Sequence, residues 1–143
     1  MLVALVLATA ACGENATGPQ TPEDVTFSAS LGVDLAVMTR LPLGVFIQTL
    51  TEGSGTPMIA TDRFAADVQG WTSDGNQFQP LLRLSDVTLD GLISGFAGMV
   101  GMTVGETRLL AIPSQLGYGS AGAGSIPGDA VLVFKVTLLT IGS

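Results

Sequence analysis

The chain contains no histidine and a single cysteine. Those two shortages remove Ser-His and Cys-His nucleophile pairs, His-based metal sites, Cys-rich zinc sites and any intramolecular disulfide. Charge is scarce as well: 12% of the residues are charged, and the net charge is −7. Phosphate backbones are bound by a basic face, so this balance argues against nucleic acid as a partner. It suits an exported protein that its charge keeps in solution. Any catalysis has to work without those groups, and the expectation is chemistry that needs no metal and no cofactor.

What is present is apolar and rich in turns. The 143 residues are 47% hydrophobic, which predicts one packed domain rather than disorder. Nineteen Gly and seven Pro predict many turns between short strands.

The N-terminus reads as an address. "MLVALVLATAAC", residues 1–12, is too short to span a bilayer as a helix and suits the apolar region of a signal peptide. Thr9, Ala10 and Ala11 precede Cys12, the one cysteine, and the arrangement resembles the lipobox of bacterial lipoproteins. That resemblance implies lipidation of Cys12 and a membrane anchor in a bacterial cell envelope. It departs from the pattern at Thr9, where Leu is usual, and in having no basic residue ahead of the apolar run. An ordinary secretory signal and a short buried segment are the alternative readings. "GENATGPQTPED" follows, and residues 13–27 read as a flexible tether.

Residues 28–43 read as a pre-domain segment, with one helical turn at Leu35–Met38 ended by Pro42 and Gly44. The domain proper is expected over 44–143. "VFIQTLTEGSG", 45–55, predicts a strand running into a turn. "DRFAADVQGWTSDGNQF", 62–78, predicts a hairpin about Asp74-Gly75. "LLRLSDVTL", 81–89, is short and partly alternating. "DGLISGFAGMVGM", 90–102, places Leu92, Ile93, Phe96, Met99 and Val100 at helical spacing, although its glycines weaken the helix. "ETRLLAIP", 106–113, and "AVLVFKVTLLTI", 130–141, predict two more strands. In the last, Leu132, Phe134, Val136 and Leu138 share a face, because strand side chains alternate. The fold class is therefore α+β: a curved antiparallel β-sheet wrapped on one short α-helix.

The string "GMTVGETRLLAIPSQLGYGSAGAGSIPGDAVLVFKVTLL", residues 101–139, resembles the C-terminal half of FKBP-type peptidyl-prolyl isomerases. The family reads there as a Met-x-Val-Gly-Glu turn, a strand ending near Pro, Tyr-Gly, a Gly-rich loop, Ile-Pro and Leu-Val-Phe-x-Val-x-Leu. Upstream, "LISGF" resembles the family's helix start and "GWTSDGNQF" its hairpin, so the resemblance covers residues 44–141. It implies an apolar pocket on the concave face of the sheet, lined by Phe78, Leu92, Ile93, Phe96, Tyr118, Ile126 and Phe134. Phe96 stands where the family has a Trp floor, and Phe134 would close one wall. The Ile93 amide and the Tyr118 hydroxyl would hold peptide carbonyls. Gln79 and Leu82 would add substrate contacts.

Such a pocket can speed prolyl isomerisation without a nucleophile. Rotation about a peptide bond costs about 18–20 kcal/mol through lost resonance. X-Pro bonds are the ones that populate both isomers appreciably. The twisted amide has lost conjugation and is less polar, so a dry apolar pocket favours it over the planar form; catalysis is differential binding of that state. The partners implied are proline-containing polypeptides, met by a monomer.

Two departures bear on this. Where the family has a pocket Tyr on its first hairpin strand, "DVQG" has Val68; where it has Asp-Ser after the hairpin Phe, Phe78 is followed by Gln79-Pro80. That Asp and Tyr hydrogen-bond one another, so their joint loss orphans no buried partner. The departures leave a second reading open: the same fold as a weakly active peptide-binding or chaperone module. Taken singly, the three Phe are core, Tyr118 is a loop Tyr, Ile126-Pro127 is a turn and "AGAGS" is a linker. Their order favours the pocket over an unrelated β-rich envelope domain.

Overall fold

The computed structural model describes residues 18–142. Segment 1–12, its candidate lipidation site Cys12 and the start of the tether lie outside the described residues. Six strands form one sheet: β1 Thr39–Arg40, β2 Phe46–Thr51, β3 Phe64–Thr72, β4 Gln77–Val87, β5 Thr107–Ile112 and β6 Leu132–Ile141. Their order is β1-β2-β5-β6-β3-β4, and every neighbouring pair is antiparallel.

The hairpin forms as its turn chemistry requires. Gly75 takes a φ of +93°, and Asp74 accepts from the Asn76 amide at 3.1 Å. The second arm of the hairpin and the partly alternating stretch after it form one continuous strand, residues 77–87. Pro80 sits within it without breaking it because β4 is an edge strand, where a missing N–H leaves no ladder bond unmade. Three register shifts interrupt its pairing with β3, between Phe64 and Ala66, Val68 and Gly70, and Gly70 and Trp71. Such bulges bend and twist a strand. At the first of them Asp86 has a φ of +55°, held by Arg63, whose Nε donates to the Asp86 carboxylate at 2.6 Å.

The concave face carries the main core. Leu132, Phe134, Val136 and Leu138 of β6 point there with Leu110 and Ile112 of β5, Ala66 and Val68 of β3, and Phe96, Met99 and Met102. The helix that packs on this face corrects one expectation. It is a six-residue 3₁₀ helix, Ser94–Met99, not an α-helix, with i→i+3 bonds such as Phe96 N–H to Ile93 O at 3.0 Å. Its glycines explain both its weakness as an α-helix and its closeness to the sheet. A Cβ on Gly95 would run into Ile112, and one on Gly98 would lie 3.0 Å from Val45. The architecture remains a curved sheet wrapped on one short helix, as expected for the fold class.

The boundary expected at residue 44 is not a boundary in the structure. From Gly18 onward the chain lies against the sheet. Gln20 and Ser114 exchange hydrogen bonds: the Gln20 N–H donates to Ser114 Oγ and the Ser114 N–H to the Gln20 carbonyl, both at 2.9 Å. Pro22 is buried, and β1 adds to the sheet. Phe27, Leu31, Val33 and Leu35 pack with Met38 over Phe46, Leu109, Ala111 and Val133 on the convex face. The tether and pre-domain segment, as far as they are described, are therefore part of the fold. Among the described residues no helix is long and apolar enough to cross a membrane.

Candidate active site

One concave cavity of about 690 Å³ opens between the 3₁₀ helix, the β3–β4 hairpin and the loop after β5. All nine candidate side chains at described positions meet there: Phe78, Gln79, Leu82, Leu92, Ile93, Phe96, Tyr118, Ile126 and Phe134. Val68, Leu84, Gly91, Ala123, Gly124 and Ser125 complete the lining, and no charged side chain is among them.

The aromatic part is built on strand alternation. Phe134 projects from the middle of β6 and is 4% exposed. Phe96, from the helix, meets it edge-on with ring centroids 4.7 Å apart; Phe78, from β4, meets it on another side at 5.5 Å. Edge-to-face geometry is a preferred arrangement for such rings. Gly70 of β3 makes it possible. It faces Phe134 across one pair and Gln79 across the other, and a Cβ there would lie 2.6 Å from Phe134 and 2.8 Å from Phe78. The wall on β4 is fixed from the far face, where Arg83 grips Asp67 with two parallel hydrogen bonds of 2.7 and 2.8 Å. These residues are paired in register, one step from the Val68–Leu82 pair that lines the cavity. The Arg83 guanidinium holds the Asp67 carboxyl below its ordinary pKa.

The Gly-rich stretch is an ordered loop rather than a linker. Ala123 and Ile126 bond to each other in both directions, at 3.0 and 2.8 Å, around a Gly124-Ser125 tip. Gly122 and Gly128 are needed there, since a Cβ on either would strike the loop's own backbone. The fold-back drives Ile126 into the cavity, where it is 7% exposed. Tyr118 stands at the mouth, 39% exposed. Ile93 precedes the first residue of the 3₁₀ helix, and among the described residues no acceptor takes its amide proton. Free N–H groups are what a helix start leaves over.

Two polar positions of the family pattern are apolar or self-satisfied here. Val68 is 3% exposed and packs in the core. Gln79 lines the cavity, but its side-chain amide donates to the neighbouring Pro80 carbonyl at 2.8 Å. Gly70, Leu84 and the loop tip were not singled out in the sequence. A glycine in mid-strand was the available signal for Gly70, since it marks close approach by other groups.

Comparison with known proteins agrees with this geometry. Residues 56–139 match the family model of FKBP-type peptidyl-prolyl cis-trans isomerases. An FK506-binding protein of Neisseria meningitidis serogroup B is 36% identical over 105 residues, covering 68% of this chain and 96% of that protein. The isomerase FkpA of Aeromonas hydrophila is 37% identical over 102 residues, which is 68% of this chain and 38% of the relative. Among solved structures, FkpA from Escherichia coli superposes with a TM-score of 0.65 at 28% identity, over 73% of this chain and 51% of that one. A peptidyl-prolyl cis-trans isomerase from Pseudomonas syringae pv. tomato gives 0.64 at 28% identity, over 80% and 87%.

Proposed function

The chain belongs to the FKBP-type peptidyl-prolyl cis-trans isomerase family, and from that premise we propose that the 690 Å³ cavity takes up the proline of an extended X-Pro segment and stabilises the twisted amide. The observation that carries the proposal is the meeting of all nine candidate residues around one uncharged concavity. Phe96 forms the floor and Phe134 a wall. The unused Ile93 amide receives one peptide carbonyl, and the Tyr118 hydroxyl at the mouth receives another. Phe78, Leu82, Leu92 and Ile126 keep water from the bond while it turns. The reacting amide exchanges a polar planar form for a less polar twisted one. A lining without charge therefore favours the second, and the barrier of about 18–20 kcal/mol falls by the difference.

The clients are proline-containing polypeptides. We place their encounter in the bacterial cell envelope, where the chain, exported and anchored through a lipid on Cys12, would assist folding of exported proteins. A second reading has a specific observation behind it. Val68 and a Gln79 whose amide is taken up by the Pro80 carbonyl leave the cavity without the polar pair of the family pattern. A peptide-binding module with low turnover would look the same.

The test is prolyl isomerisation on a series of X-Pro peptides with the full chain and Phe96→Leu, a substitution that keeps most of the buried volume. Acceleration by the wild type that falls at least tenfold in the folded variant is the expected result. Peptide binding with no acceleration for any X would replace the enzyme by the binding module.

A further inference from the structure

The concave face of β5 is apolar at Leu110 and Ile112, yet Glu106, just ahead of the strand, and Arg108 near its start are 5% and 7% exposed. Arg108 Nε donates to a Glu106 carboxylate oxygen at 2.9 Å. Glu106 is fixed in turn by the Thr49 hydroxyl at 2.8 Å and the Thr103 amide at 3.0 Å. Stability alone does not account for such a pair, because a buried ion pair is often matched or bettered by apolar residues of similar volume. Its remaining contacts suggest another use. Arg108 Nη1 donates to the Gly98 carbonyl at 2.8 Å and to the Val100 carbonyl at 3.2 Å. These are carbonyls at the C-terminal end of the 3₁₀ helix, which has no further turn to satisfy them.

We propose that Arg108, braced by Glu106, is a positioning residue for the reaction: it sets how deep the 3₁₀ helix sits on the sheet, and with it the Phe96 floor. The proposal rests on the isomerase reading of the cavity. Gly95 and Gly98 bring the helix close to the sheet, and the Arg108 bond to the Gly98 carbonyl adds a fixed point at its C-terminal end. Phe96 lies two residues before the gripped Gly98 carbonyl, so a slide of the helix end moves the floor against Phe134. The guanidinium fork meets two carbonyls from a fixed strand, and its direction is set by a carboxylate that is itself held at both oxygens. Arg108 does not line the cavity, so any effect on turnover passes through the helix.

The experiment uses the full chain and the double variant Glu106→Gln/Arg108→Met, which leaves no buried charge unpaired. Three quantities are read well below the unfolding temperature: kcat and KM on X-Pro peptides, affinity for a proline-containing peptide, and the NMR shifts of the Phe96 and Phe134 ring protons. The expected result is a folded variant whose kcat/KM falls at least tenfold, whose peptide affinity drops at least threefold, and whose ring shifts change. Arg108→Lys, which can still reach one carbonyl, should restore part of each. Wild-type kcat/KM, affinity and ring shifts in the folded double variant overturn the proposal. Should that variant not fold, unchanged values in Arg108→Lys overturn it equally. Ring shifts and affinity are read whether or not the wild type turns over, so a failure of the isomerase reading is told apart from a failure of this one.

Discussion

Replacing Gly70 by alanine tests how the cavity's aromatic wall is made. The added Cβ would stand 2.6 Å from Phe134 Cε1 and 2.8 Å from Phe78 Cζ. Carbon atoms in contact prefer about 3.5–4.0 Å, so both rings must retreat by roughly 1 Å. Phe134 has little room, with Phe96 4.7 Å behind it between centroids. Overpacking of this kind costs about 1–3 kcal/mol. The lower entropy of an unfolded chain with Ala in place of Gly returns about 0.4–1 kcal/mol. The net loss is about 1–2 kcal/mol, or a fall in Tm of roughly 3–10 °C for a chain of this size. Displaced rings should also cut kcat/KM at least fivefold. Gly91→Ala is the control. It lines the same cavity, but nothing lies within 4 Å of its added Cβ, so stability should stay within about 0.5 kcal/mol of wild type. Thermal unfolding by circular dichroism beside the peptide assay measures both. An unchanged Tm with unchanged turnover in Gly70→Ala would refute the argument that this strand glycine makes space for the rings.

Other outcomes follow from the same geometry. Tyr118→Phe removes a hydroxyl at the mouth of the cavity, so kcat/KM should fall about three- to tenfold while Tm stays within a degree or two; equal turnover would remove the hydroxyl from the mechanism. A fragment beginning at residue 44 uncovers Phe46, Leu109 and Val133 and loses the Gln20–Ser114 exchange. At about 1.5–3 kcal/mol for each large side chain, the loss rivals the whole stability of a typical domain, and gel filtration and circular dichroism should find it aggregated or unfolded. The Asp24, Asp67, Asp74 and Asp86 carboxyls are held below their ordinary pKa by hydrogen bonds from Thr21, Arg83, Thr72 and Arg63 respectively. A depressed folded-state pKa contributes stability above the unfolded value of about 3.9, and that stability is lost as pH falls through the folded value. With no histidine to titrate, Tm should be level from about pH 5.5 to 7.5 and decline below about pH 4; a step near pH 6.5 would contradict it.

What the sequence disclosed best was what local chemistry determines. Asp74-Gly75 marked the hairpin, and the alternation in "LVFKVTLL" identified the core face of β6. The ordered string from Gly101 to Leu139 carried the family and, with Tyr118, Ile126 and Phe134, part of the cavity lining. What stayed hidden depends on packing at a distance. Whether a Gly-rich helix winds as α or 3₁₀ depends on how close Gly95 and Gly98 bring it to Ile112 and Val45, which no local pattern reports. The cover on the convex face was missed although a signal existed. Leu109 to Ile112 and Val131 to Phe134 run without polar alternation, and a strand apolar on both sides must be covered on both. The partner for that second face was the stretch read as tether and pre-domain segment. That Pro80 can sit inside a long strand was not legible either, because edge position is a property of the whole sheet.

The two rims of the sheet have a consequence for a protein whose proposed clients are extended, unfinished chains. Any open strand is a template on which a foreign segment could pair and continue the sheet. Here one rim is the two residues of β1 and the four residues of β2 that β1 does not reach, and the other is β4, broken by three register shifts, the positive-φ Asp86 and a proline. Neither offers a flat row of free amides and carbonyls long enough to recruit a strand. The molecule can therefore expose its concave side to sticky polypeptides at close quarters while giving them no edge on which to nucleate an aggregate.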